Sequence, residues 1–103
     1  MRIQEDRTIL VVDDDELARA TLQDVLEHEG FQALGAEDGF MATRIIRHES
    51  IDLVFLDYNM PGKNGIEVLH EIKVINDVLP VIMLTANSDL DIFQWALAGC
   101  SPT

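Results

Sequence analysis

Three short apolar runs in this chain each end on a residue able to do chemistry. Residues 8–12, Thr-Ile-Leu-Val-Val, run into Asp13 and Asp14; residues 51–56 run into Asp57; residues 81–84 run into Thr85. A single acid at the end of such a run more often closes a turn or caps a helix than performs chemistry, and Thr85 could itself cap a helix. Three carboxylates meeting in one crevice are another matter, because their repulsion has to be relieved by a cation or by protonation. Oxygen donors without His or Cys favour Mg²⁺, with Mn²⁺ as the alternative. A carboxylate held beside such an ion suits phosphoryl transfer onto the acid itself, giving an acyl phosphate on Asp57. The Thr85 hydroxyl can then donate to a phosphoryl oxygen, which makes it a sensor candidate.

These residues meet only if the apolar runs are neighbouring strands. Each run is too short for an ordinary helix and is bounded by turn residues. Between the strands lie stretches with helical spacing. Residues 15 to 29 place Ala18, Leu22, Val25 and Leu26 on one stripe, with acids in the first turn and Gly30 as the stop. A second, less apolar strand over 31–36 reads as an edge. A helix follows from Glu37-Asp38-Gly39 to about Ser50, with Met41, Ala42, Ile45 and Ile46 as its expected buried face. Beyond Asp57 comes Pro61-Gly62-x-x-Gly65, then a third helix carrying Ile66, Leu69, Ile72 and Ile75, with Lys73 expected at its surface. Pro80 opens the fourth strand, as proline can at a strand's first residue, and a fourth helix is expected to bury Ile92, Phe93, Ala96 and Leu97. Alternation of this kind predicts an α/β fold, a parallel sheet with right-handed crossovers and helices on both faces. The carboxyl ends of its strands share one edge, where Asp13, Asp14, Asp57 and Thr85 would converge.

Composition narrows the function. One globular domain over residues 1–103 is expected, since 103 residues that are 48% hydrophobic suffice for a single core. The formal charge of -12, from 19 acids against 7 Lys and Arg, argues against nucleic acid as a partner of this domain. The lone cysteine, Cys100, excludes an internal disulfide and a thiolate metal site. No apolar run approaches the length that crosses a bilayer, and the first seven residues contain no signal-peptide block, so a soluble cytoplasmic protein without membrane contact is expected.

The segments Ile9-Leu10-Val11-Val12-Asp13-Asp14, Leu56-Asp57-Tyr58-Asn59-Met60-Pro61-Gly62 with Gly65, and Pro80-Val81-Ile82-Met83-Leu84-Thr85-Ala86 stand in the order and separation of one known pattern. The sequence resembles the receiver domain of two-component response regulators over nearly its whole length. The resemblance implies a CheY-like, flavodoxin-like doubly wound sheet of strand order 2-1-3-4, ending before the family's fifth strand and fifth helix. It further implies that Asp57 is the phosphoacceptor and Asp14 a direct Mg²⁺ ligand. Asp13 would act through metal-bound water, Asn59 would lend its backbone carbonyl, and Thr85 would be the switch hydroxyl. The phosphoryl donor would be a phosphohistidine on a sensor histidine kinase or a histidine phosphotransfer protein, and the domain would be a regulatory phosphoacceptor rather than an enzyme.

The chain stops before the family's Lys-Pro, and neither Lys63 nor Lys73 takes that place by motif. A truncated receiver with strand four as a bare edge is therefore expected either to pair with another copy through that region or to be marginally stable. A receiver-like module that works by docking alone is the binding alternative. An aspartyl-phosphate phosphatase or a nucleotide hydrolase is disfavoured, because no phosphate-binding glycine loop is present and Asn59 stands where such phosphatases carry their general acid. A metal-buffering protein would need a calcium-binding loop that the chain lacks.

Overall fold

The computed structural model describes residues 7–60, 62 and 64–84. Within them the order is β1 (Thr8–Val12), α1 (Glu16–His28), β2 (Gln32–Ala36), α2 (Gly39–His48), β3 (Leu53–Asp57), α3 (Gly65–Ile75) and β4 (Val81–Leu84). The four strands form one sheet of order β2-β1-β3-β4, every neighbouring pair parallel. The expected fourth helix and Thr85 lie outside the described residues, and so does the flank of β4 on which the expected self-pairing turns.

β1 is central and covered on both faces, which explains an unbroken apolar run where a one-sided strand would alternate. Leu10 and Val12 share a layer with Val54 and Leu56 of β3 and Val81 and Met83 of β4; α2 and α3 close it with Ala42, Ile46, Val68, Leu69 and Ile72. Ile9 and Val11 face the other way, against Leu26 of α1 and Ala33 of β2. One helix therefore covers one face and two the other, the doubly wound arrangement the sequence predicts.

The helices depart from simple apolar spacing. On α2, Ala42 and Ile46 are buried but Met41 is 39% exposed, against expectation. On α3, Val68 joins the core beside Leu69 and Ile72, while Ile66 and Ile75 are half-buried. The expected stripe on α1 is rotated: Val25 is 52% exposed and Ala18 is also exposed. The residues that turn inward are Arg19, Leu22, Gln23 and Leu26. Their i, i+3, i+4, i+7 spacing is helical, but two of the four are polar and no apolar pattern marks them. The reason lies in β2, where Ala33 and Gly35 are too small to need an apolar lid; Gln23 Nε2 donates to the Ala33 carbonyl at 3.2 Å instead. Lys73 is likewise half-buried rather than exposed, its Nζ donating to the carbonyls of Leu79 and Asp77 and tying α3 to the turn before β4.

The start of α3 is set by a reciprocal cap and a close approach. The Asn64 side chain accepts from the Glu67 N–H at 3.0 Å, and the Glu67 carboxylate accepts from the Asn64 N–H at 3.0 Å. The Gly65 N–H donates to the Tyr58 carbonyl at 2.9 Å, so the first helical residue sits against the end of β3. A Cβ at Gly65 would lie 2.7 Å from the Tyr58 Cα, 2.8 Å from the Met83 sulfur and 3.0 Å from the Asp57 carbonyl. Backbone cannot swing aside, and the contact fixes the distance between α3 and Asp57. Gly62, at φ 84° with open space around it, needs only its left-handed conformation. Gly65→Ala is therefore expected to lower unfolding free energy by about 2 to 3 kcal/mol and Gly62→Ala by only about 1 kcal/mol, read from urea midpoints. Equal costs would contradict the close approach.

Candidate functional site

The carboxyl ends of β1 and β3 are adjacent in the sheet, and the acids at those ends meet there. One carboxylate oxygen from each of Asp13, Asp14 and Asp57 lies within 4.8 Å of the others. They line an open cleft of about 400 Å³ together with Asp15, Ala18, Asn59 and Leu84. Of the sequence-predicted site residues, Asp13, Asp14 and Asp57 come together and Asn59 stands beside them; Thr85 follows Leu84 but lies outside the described residues.

Asp13 and Asp57 are each positioned by backbone. The Asp13 N–H continues the ladder by donating to the Ala36 carbonyl at 3.0 Å. Asp13 Oδ1 accepts from the Asp15 N–H at 2.9 Å, closing a small side-chain turn that leads into α1. Asp57 is the last residue of β3, and the next N–H, from Tyr58, donates to the Leu84 carbonyl at 2.8 Å, so the sheet extends past the acid. Asp57 Oδ1 accepts from the Asn59 N–H at 3.2 Å. Asp15 was read in the sequence only as a helix-starting acid. It is the N-cap of α1, yet its side chain makes no cap bond and lines the cleft instead. Its signal, a third consecutive acid, could not be told from a solvated helix start.

Electrostatics single out Asp57. Burial pushes its carboxyl up from 3.8 to about 6; the Asn59 N–H opposes this, while the charges of Asp13 and Asp14 and a hydrogen bond with Asp13 add to it. The fold thus holds an anion where anions are already crowded. Three hard oxygen donors from two strand ends, with the central one reluctant to ionise alone, fit a small divalent ion. The same donors do not fit Zn²⁺ or copper, which favour nitrogen and sulfur.

Residues 9–99 match the family described as the response regulator receiver domain. This chain belongs to that family. It is 43% identical over 86 residues to the sporulation initiation phosphotransferase F of Bacillus subtilis (strain 168), a stretch covering 84% of this chain and 69% of that protein. It is 46% identical over 84 residues to the transcriptional regulatory protein CpxR of Escherichia coli (strain K12), covering 81% of this chain and only 35% of CpxR. Among solved structures, a receiver domain protein from Clostridium thermocellum superposes with a TM-score of 0.82 at 34% identity, covering 92% of this chain and 77% of the other. The response regulator TrrA from Thermotoga maritima, in complex with Mg²⁺-BeF, gives 0.77 at 37% identity, covering 87% of this chain and 80% of TrrA. The receiver fold is thereby the frame in which the acidic cleft sits. Among the described residues no helix is long and apolar enough to cross a membrane.

The raised pKa of Asp57 predicts a stability profile. In the metal-free domain, folded Asp57 keeps its proton up to about pH 6 whereas the unfolded chain loses it near 3.8. Its contribution is fully present below pH 3.8 and is lost as pH rises through 6. Asp57→Asn removes that loss. In EDTA the variant is expected to be about 1 kcal/mol more stable than the parent at pH 7, allowing for solvent screening of a partly exposed carboxylate, and equal to it at pH 4. Parallel melting curves across that range would contradict the assignment.

Proposed function

We propose that residues 1–103 form one receiver domain that takes a phosphoryl group onto Asp57 within a two-component system. The observation that carries this is the meeting of three carboxylates within 4.8 Å at the end of two adjacent parallel strands, with Asp57 on the strand tip. Mg²⁺, or Mn²⁺ in its place, would be held by the carboxylates of Asp13, Asp14 and Asp57 and by the backbone carbonyl of Asn59. When bound, the ion supplies the positive charge that lets two anions approach. The Mg²⁺-BeF complex of TrrA supports the same donor chemistry in a relative.

The rest of the step belongs to the protein. The Asn59 N–H, bonded to Asp57 Oδ1, orients the carboxylate, leaving the second oxygen as nucleophile. That oxygen forms the new O–P bond as the P–N bond of a phosphohistidine breaks, and the departing imidazole takes a proton from solvent. The donor is a sensor histidine kinase or a histidine phosphotransfer protein. Thr85, one residue past β4, would donate its hydroxyl to a phosphoryl oxygen, a role that rests on the family pattern. The domain is a cytoplasmic phosphoacceptor, not a turnover enzyme, and its net charge of -12 sets nucleic acid aside as its own partner.

Incubation with radiolabelled acetyl phosphate and Mg²⁺ is expected to label the chain at one site. Label should be absent with EDTA and in Asp57→Ala, and initial uptake should fall about 100-fold in Asp14→Ala. An unlabelled parent chain that still binds a histidine kinase would instead favour docking without phosphate transfer. Label that survives in Asp57→Ala would place the acceptor elsewhere.

A further inference from the structure

The inward stripe of α1 contains an arginine that the phosphoacceptor chemistry does not use. Arg19 Nη1 donates to the Asp13 carbonyl at 2.7 Å in a partly buried bond. This carbonyl belongs to the residue whose N–H ends the β1–β2 ladder and whose carboxylate accepts from the Asp15 N–H. Asp13 is thus held at three points besides its hydrogen bond with Asp57: its amide by β2, one carboxylate oxygen by its own turn, and its carbonyl by α1.

The arginine reaches that carbonyl because β2 leaves it room. A Cβ on Gly35 would lie 3.1 Å from Arg19 Cδ and 2.7 Å from Gln23 Oε1. Two long polar side chains, one helical turn apart, lie across a strand position without a side chain, and each ends on a backbone carbonyl. A hydrogen bond from a cation to a partly buried carbonyl is among the stronger neutralisations a backbone group can receive. It holds the peptide that joins Asp13 to Asp14, and so the direction in which both carboxylates leave the strand.

We propose that Arg19 is a positioning residue for the acidic site: by clamping the Asp13 carbonyl across the bare surface of Gly35, it fixes the β1–α1 turn that presents Asp13 and Asp14 to the divalent ion. This rests on the reading of the cleft as a Mg²⁺ site, and groups that orient ligands in this way commonly change metal affinity about tenfold when removed. Arg19→Met keeps the aliphatic stem over Gly35 and deletes only the donor, separating the clamp from packing. Arg19→Lys keeps a donor of shorter reach. Gly35→Val leaves Arg19 in place but occupies the surface it crosses.

The experiment has two readouts on the full chain. Without metal, amide hydrogen exchange at Asp15, whose N–H depends on the turn, is expected to accelerate about tenfold in Arg19→Met and Gly35→Val while Leu56 in β3 stays at the parent rate. With Mg²⁺, calorimetry is expected to show about tenfold weaker binding in both variants and partial recovery in Arg19→Lys. Parent-like exchange at Asp15 in Arg19→Met overturns the clamp. Faster exchange at Asp15 with parent-like Mg²⁺ affinity overturns its role toward the ion. A parent chain that binds no Mg²⁺ refutes the metal reading of the cleft, and the proposed role of Arg19 toward the ion falls with it, whereas the exchange measurement still decides the clamp.

Discussion

Like charges at the tip of a sheet are the constraint around which this domain is built. Parallel pairing of β1 and β3 puts Asp13 and Asp57 side by side, and α1 starting directly after β1 adds Asp14 and Asp15 to the same opening. Nothing in local propensity asks for this; strand ends tolerate acids, but crowded ones raise the free energy of every ionised neighbour. The cost falls on Asp57, whose carboxyl is pushed up to about 6 by burial first and by the charges of Asp13 and Asp14 in addition. The fold ties the carboxylates of Asp13 and Asp57 to backbone N–H groups, so these two cannot relax by spreading apart, and a divalent ion would relieve what the protein itself leaves unresolved.

That rigidity comes from packing behind the tip. Leu10, Val12, Val54 and Leu56 are fully or almost fully buried and lock β1 to β3 immediately below the acids. Gly65 lets α3 touch the backbone of Asp57 and Tyr58 directly, so the loop after Asp57 is anchored to the end of β3 by main-chain contacts rather than by adjustable side chains. On the opposite face the device is different. There α1 is held partly by apolar contacts of Leu22 and Leu26 and partly by polar reach from Arg19 and Gln23, across small residues of β2.

This difference between the faces explains what the sequence made legible. Strand β1 announced itself as an unbroken apolar run because it is buried on both sides, β3 and β4 read as apolar runs although among the described residues only alternate positions are fully buried, and the acids were legible because they terminate β1 and β3. The family pattern supplied the strand order, and the sheet has it. The inward face of α1 was not legible: hydrophobic spacing chose Ala18 and Val25, whereas burial chose Arg19 and Gln23, because the partner strand offers glycine and alanine with free carbonyls instead of an apolar wall. Met41 differs because α2 packs on the core through Ala42 and Ile46, with Ile45 partly buried beside them, which leaves Met41 39% exposed at the margin of that face. Periodicity sees which residues dislike water; it does not see which backbone groups across the gap need a donor.

The same distinction bears on how a phosphoryl group could be sensed. An acid cluster neutralised permanently by a side-chain cation would respond little to a metal or a phosphate. Here the nearby guanidinium spends its Nη1 donor on the Asp13 carbonyl, a group that carries no net charge, while Asp13 still lines the cleft. The Asn59 N–H does the corresponding work at Asp57, a single neutral donor that orients the carboxylate without cancelling its charge. On the proposed reading, orientation and neutralisation fall to different agents: backbone and arginine would set direction, and an exchangeable cation would set charge. A site divided in this way can be geometrically ready yet electrostatically inactive until the ion and the phosphoryl group arrive, which is what a reversible signalling element requires.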